Sequence, residues 1–273
     1  MIAMVPEIYP DELVFSFCSR YHQRMSYRSR ESTGRDLFEN AMTKPAIDFP
    51  SRLEQLAQGY VFNNWITVDR LIDCHTLLPF YQPFVPADRI SQIRTDMKAP
   101  RGGAVHARIG VLTNRVRDQN LRFCPSCVRK DRATFGETYW HRLHQLPGID
   151  VCPKHRVFLE NTTGHPCPSS RKNTFVTAEQ SITNIQARKL DESNPDHKAY
   201  LKLANDARWL LDHPNFTENH SIQELYSRWF YARDLSWYSG RVKVTFLCGQ
   251  IQNHYSATLL NRLTRLSVRR LAR

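Results

Sequence analysis

The sequence predicts a mainly α-helical protein in which helical regions flank one small lobe pinned by cysteine and histidine side chains. Three observations predict it. Apolar residues recur at helical spacing through the first hundred residues and again in the last third, with polar caps and Pro or Gly stops between them. Two short Cys/His pairs of one form sit mid-chain, separated by an insert of helix length. The charge is lopsided: 38 Lys and Arg against 26 Asp and Glu give +12, and no acid follows Asp234.

The 273 residues accommodate one large domain or two modest ones, and 41% hydrophobic with 11% aromatic residues supply a packed core. The cationic excess points to a polyanionic partner, nucleic acid ahead of an anionic membrane. No apolar run approaches the roughly 20 residues of a membrane helix. The opening MIAMVPEIYPDEL lacks the cationic start and apolar core of a secretory signal. Seven cysteines, an odd number, fit reduced thiols, some of them on a metal, better than a disulfide framework. The expected location is the cytoplasm, with no membrane partner.

The elements follow in order. PDELVFSFCSRYHQR starts a helix at Pro10 with two carboxylates, and places Leu13, Phe17 and Tyr21 on one face beside Val14 and Cys18. SYRSREST reads as a polar turn and RDLFENAM as a second helix. In SRLEQLAQ, Ser51 and Glu54 form a capping box and Gly59 ends the helix. Thr67 starts TVDRLIDCHTLL, with Val68, Leu71, Ile72 and His75 in register. Pro79, Pro83 and Pro86 break the chain before the helix ADRISQIRTDM, and Arg101-Gly102-Gly103 is a turn. Short helices with tight turns form the platform of helix-turn-helix units, and equally an ordinary bundle.

Residues 161–196 are polar and linker-like. DHKAYLKLANDARWLLDH is amphipathic through Leu201, Ala204, Ala207, Trp209 and Leu211, and Ser221 with Glu224 caps IQELYSRWFYARDL. RVKVTFLC alternates like a strand, and Ser256 caps a last helix, ATLLNRLTRLSVRRLA, lined by Leu259, Leu263 and Leu266. Arg241, Lys243, Arg262, Arg265, Arg269 and Arg270 of this acid-free end are the candidate nucleic-acid contacts, weighed against a merely solvated face.

The central chemistry lies in Cys124-Pro-Ser-Cys127 and Cys152-Pro-Lys-His155. Each pair turns tightly enough for its ligands to converge, and Pro after the first ligand stiffens the turn. Three thiolates and one imidazole fill a tetrahedral zinc shell with no open position, which makes the site structural. The fold class is therefore mainly α, with helix-turn-helix-type helical regions flanking a small zinc-ribbon-like lobe. Its expected divisions are 1–115 (helical, helix-turn-helix-like), 116–175 (zinc lobe) and 176–273 (basic helical region). The insert FGETYWHRLHQLPG reads as an amphipathic helix with Tyr139, Trp140, Leu143 and Leu146 on one side. Glu137, His141 and His144 fall at i, i+4 and i+7 on the other, where hydrogen bonding or solvation competes with a second, catalytic metal. His165-Pro-Cys167 looks like a fragment of a further knuckle and stays unassigned.

FCPSCVRKDRATFGETYWHRLHQLPGIDVCPKHRVFL resembles the zinc-binding signature of the TniQ/TnsD proteins of bacterial transposons. YPDELVFSFCSRY, HTLLPFYQPF (His75–Phe84) and GAVHARIGV (Gly103–Val111) resemble the TnsD branch, in that order over roughly residues 5–160. The resemblance implies a bacterial, non-enzymatic adaptor that selects the target site for transposition. Such an adaptor binds double-stranded DNA, or a guide-RNA effector complex that does, and recruits an AAA+ ATPase regulator (TnsC-like) and hence the transposase. It carries the zinc-ligand role to Cys124, Cys127, Cys152 and His155. A homodimer stays among the expected assemblies. Two other readings stand beside it: a transcription regulator, and a metal-dependent nuclease using Glu137, His141 and His144.

Overall fold

The structure is a computed structural model that describes residues 5–43, 45–59, 66–100, 105–110, 120–162, 175–214, 222–237 and 239–264, without the side chains of 222–223 and 262–264. It is mainly helical. α1 (Val14–Arg24) buries Val14, Phe17, Cys18 and Tyr21, the i, i+3, i+4, i+7 face that the sequence predicts. It starts four residues later than Pro10, however, because Asp11 takes a left-handed turn (φ 61°) and the two carboxylates leave the helix start for distant cations.

α2 (Arg30–Phe38) begins inside the stretch read as a turn and ends midway through the stretch read as a helix. Gly34, between the two stretches, lies within the helix; a Cβ there would meet the Asn40 carbonyl oxygen at 2.7 Å, so the returning chain packs directly on the helix backbone. α3 (Leu53–Gln58) stops at Gly59 as predicted, but Ser51 does not cap it. Arg52 sits there instead, left-handed at φ 62°, with its amide donating to the Ala99 carbonyl. α4 (Val68–His75) is capped by Thr67, whose Oγ1 accepts from the Arg70 amide, and buries Leu71, Ile72 and His75. Pro79 and Pro83 do not interrupt the chain: each occupies the first turn of a short helix, α5 (Leu78–Tyr81) and a 3₁₀ turn (Gln82–Phe84), where a missing N–H costs nothing.

α6 (Ala87–Lys98) packs on α4 through Ile90, Ile93 and Met97, and Arg94 clamps the pair by reaching Asp69 and Asp73. α7 (Val105–Ile109) follows; the turn expected at Arg101–Gly103 lies outside the described residues. The middle of the chain holds β1 (Arg122–Phe123), α8 (Pro125–Phe135), α9 (Arg142–Gln145), β2 (Val151–Cys152), β3 (Val157–Phe158) and β4 (Glu160–Asn161). β1 pairs antiparallel with β4, and β2 with β3.

α10 (Ala178–Ser181) lies within the stretch read as a linker. α11 (Pro195–Asp212) buries Tyr200, Ala204, Ala207 and Leu211, whereas Trp209 is 44% exposed, so the buried stripe differs from the predicted one. α12 (Ile222–Ala232) is present, and its expected cap Ser221 lies outside the described residues. The strand expected at RVKVTFLC is overturned: Val242 makes one isolated bridge to Ser236, and α13 (Val244–His254) begins immediately. Leu247, Cys248 and Ile251 then form a half-buried helical stripe that the alternation of Val242, Val244 and Phe246 conceals. α14 (Ala257–Thr264) is capped by Ser256, whose Oγ accepts from the Leu259 amide at 3.0 Å.

One hydrophobic core runs from Ile8 through Phe17, Phe38, Leu71, Trp140 and Ala204 to Leu259. A second, small cluster contains Cys124, Cys127, Cys152, Val157 and Leu159. Among the described residues no helix is long and apolar enough to cross a membrane.

Candidate metal centre

The two Cys/His pairs meet, and the local structure explains how. Cys124 follows β1 directly and is the N-cap of α8, its Sγ accepting from the Cys127 amide at 3.4 Å. Pro125 takes the first helical position, so the first turn of α8 is the knuckle that turns Cys127 back toward Cys124. The second pair lies on a hairpin. Cys152 ends β2 opposite Val157 of β3, and the turn closes with the Arg156 amide donating to the Cys152 carbonyl at 2.8 Å. Arg156 is left-handed, φ 50°, which brings His155 under Cys152.

The result is a cluster of four ligand atoms within 4.8 Å of one another. His155 presents Nδ1, at 3.5, 3.3 and 3.6 Å from the sulfurs of Cys124, Cys127 and Cys152. The Cys127 and Cys152 sulfurs are 3.8 Å apart. The three cysteines are buried and His155 half-buried. Packed this closely, the thiols oppose one another's ionisation. Donation from Cys124 and Cys127 drives Cys152 down, while Cys127 is driven up by its Cys124 and Cys152 neighbours. A cation among them removes the conflict by stabilising every thiolate together.

The insert between the knuckles does not form the helix read there. The helix is α8, which begins inside the first knuckle and ends at left-handed Gly136; the second half of the insert is extended apart from α9. Glu137, His141 and His144 therefore do not share a face. Glu137 receives Arg20 at 3.0 Å and Arg24 at 2.5 Å. His141 lies between two carboxylates, Nε2 at 2.9 Å from Asp131 and Nδ1 at 3.5 Å from Asp11. Burial works against its charge, but the bonds to Asp11 and Asp131 outweigh burial and hold its pKa at about 9. His144 turns the other way, buried at 2% exposure, with Nε2 3.9 Å from the Cys127 sulfur. Burial keeps its pKa below the ordinary histidine value. The triad on which a catalytic metal would depend thus does not assemble: Glu137 is taken by Arg20 and Arg24, and the His141 and His144 rings, 4.9 Å apart, turn to different partners.

Several residues here were not singled out from sequence. Asp11 holds buried Arg142 at 2.9 Å, and Glu12 accepts Arg20 through both carboxylate oxygens at 3.0 and 2.8 Å. The Glu12 and Arg20 side chains are 0% and 1% exposed. The available signal was charge inside apolar runs, as in PDELVF and YWHRLH. The basic candidates fare differently. Arg241 is exposed, whereas Lys243 pairs with Asp234 at 2.6 Å and lies over the Trp237 ring. The side chains of Arg262, Arg265, Arg269 and Arg270, and all of His165 and Cys167, lie outside the described residues.

Comparison with known proteins bears on the same half of the chain. The TniQ family profile matches residues 3–159, a span that contains all four cluster residues. The transposon Tn7 transposition protein TnsD of Escherichia coli is 32% identical over 155 residues. That alignment covers 56% of this chain but 30% of the length of the relative. With the match extending over more than half of its residues, the chain belongs to the TniQ family.

Proposed function

We propose that the protein is a non-enzymatic adaptor that selects the target site in bacterial DNA transposition, binding double-stranded DNA and recruiting an AAA+ ATPase regulator. The observation that carries this reading is the likeness to the transposition protein TnsD across both the N-terminal helices and the cysteine lobe. In this reading the cytoplasmic protein uses the lobe as a rigid support rather than as a reaction centre.

The metal in this reading is zinc, held by Cys124, Cys127, Cys152 and the Nδ1 of His155. A tetrahedron with Zn–S of about 2.3 Å and Zn–N of about 2.0 Å has edges of about 3.8 Å between sulfurs and about 3.5 Å from sulfur to nitrogen. The observed 3.8 Å and 3.3–3.6 Å fit those edges. Bound there, zinc supplies structure: it ties the start of α8 to the β2–β3 hairpin.

For DNA, the supporting features are the net charge of +12 and the succession of α13 and α14 with only Tyr255 and Ser256 between them. A short junction between two helices, with arginines recurring in the sequence from Arg262 of the second, suits a helix-turn-helix reading in which exposed Arg241 and those arginines meet phosphates. The deciding experiment reconstitutes the protein on duplex DNA with candidate AAA+ regulators. The expected result is ATPase retained on DNA only when the protein is present. Duplex binding with reporter repression but no ATPase recruitment would replace this function with transcription regulation.

A further inference from the structure

His144 stands just behind the four-residue cluster and has no place in it. Its Nε2 is 3.9 Å from the Cys127 sulfur and the ring also faces the Cys152 thiol, while the Nδ1 of His155 lies within 3.6 Å of all three sulfurs. The ring is 2% exposed, and Nδ1 is a buried atom with no hydrogen-bond partner among the described residues. A buried imidazole with one nitrogen idle and the other toward sulfur is held for what that second nitrogen does.

Three thiolates and one neutral imidazole around a divalent cation leave a net charge of −1, inside a lobe whose sulfurs are buried. Buried negative charge needs donors. Cys124 has one, the Cys127 amide at 3.4 Å. The side chain that can serve Cys127 is His144. We infer that His144 is a hydrogen-bond donor to the Cys127 thiolate, carrying its proton on Nε2, and that it sets how tightly the lobe retains zinc without ligating the ion. This rests on the reading of the cluster as a zinc site. The ring is positioned from both sides: α9 carries it, and the charged His141 ring lies 4.9 Å away, between Asp11 and Asp131. The donor thereby connects the cluster, through His141, to Asp11 of the N-terminal region and Asp131 of α8.

The test uses the full chain as isolated with zinc. Competition against a chromogenic chelator is measured for the wild type, for His144→Gln, which keeps a donor, and for His144→Leu, which does not. Loss of a partner to a ligand costs about 10–100-fold in metal affinity. That loss is expected in His144→Leu, with His144→Gln close to the wild type. Equal losses in both would mean that the ring merely fills space, and no loss in either would remove the role. Cobalt substitution adds a signature: the thiolate-to-cobalt charge-transfer band is expected to shift in His144→Leu while the tetrahedral pattern persists. Loss of that pattern would make His144 a ligand and overturn the inference.

A measurement on the wild type stands even if the leucine variant does not fold. Cadmium-113 loading is expected to show coupling between the metal and the Nε2 proton of His144, and an Nδ1-protonated ring would refute the donor role. A wild-type chain that holds no zinc at all would instead defeat the zinc reading itself, which keeps the two failures apart.

Discussion

Between Tyr9 and Arg142 the chain buries Glu12, Arg20, Asp131 and Arg142 and gives each a charged or hydrogen-bonded partner. Between Ile222 and Tyr255 it does the reverse, leaving Tyr226, Trp229, Tyr231, Trp237 and Phe246 at 45–60% exposure. The first region accepts the desolvation of ions and meets it with partners from the same chain. The second keeps its aromatics outside, with Arg233 lying 4.1 Å from the Trp229 ring centre. One region is organised to hold its own shape, the other to present a surface. The TniQ match, residues 3–159, coincides with the first.

The largest expected effect lies at the cluster. Cys152→Ser is expected to abolish stoichiometric zinc and unfold the lobe, because structural zinc binding, apparently about 10–16 kcal/mol in isolated fingers, is folding energy. Metal analysis with thermal melting checks it, and a variant that keeps zinc and melting temperature would remove the structural role.

Next come the buried groups of the first region. Burial already pushes the Glu12 carboxyl above its ordinary range, and Arg20→Met removes the charge that opposes this; losing the buried pair is expected to cost about 3–5 kcal/mol in denaturant unfolding. Trp140→Ala is expected to cost about the same, since Trp140 is 0% exposed and its Nε1 donates to the Val176 carbonyl at 2.8 Å.

The charged His141 gives a smaller, pH-dependent effect. Its folded pKa of about 9 exceeds the ordinary 6.5, so its contribution is complete below 6.5 and disappears as pH rises through 9. A shift of that size corresponds to roughly 3 kcal/mol. Stability measured from pH 6 to 9.5 at saturating zinc should decline more in the wild type than in His141→Gln. Asp11, depressed to about 2 by His141 and Arg142 against the opposing effect of burial, adds stability above its ordinary 3.8 that is lost as pH falls through 2.

The smallest effect sharpens the comparison most. Trp229→Ala, at 45% exposure, is expected to change stability by less than about 0.5–1 kcal/mol. Were it to destabilise the protein as much as Trp140→Ala, the contrast between the regions would fail.

The α1 face, the Thr67 and Ser256 caps and the convergence of all four cluster residues were legible in sequence because each is a local pattern with fixed spacing. What escaped was non-local. Ser51 lost its capping role to a chain reversal at Arg52 tied to Ala99, and the polar stretch read as a turn hid the start of a helix whose Gly34 packs on the Asn40 carbonyl, a contact that cannot be seen along a helical wheel. His144 and His141 shared a wheel that does not exist, and His141 is charged because Asp131 and, 130 positions upstream in the numbering, Asp11 both face it. Which imidazole nitrogen of His155 turns to the sulfurs is likewise a property of the hairpin, not of the motif.

The backbone of the N-terminal segment is stitched directly to the insert: the Leu13 amide donates to Trp140, and the Arg142 amide to Asp11. Asp11 and Arg142 are separated by 131 residues. On a ribosome adding about 5–20 residues per second, that is about 7–26 s during which the first helix has been made and its partner has not. Glu12 and Arg20 can find each other early, but Asp11 waits for Arg142 and Glu137 reaches Arg20 and Arg24 only late. The N-terminal third thus emerges with its acidic and basic side chains still hydrated and its apolar face uncovered, and synthesis of the cysteine lobe is the event that completes it.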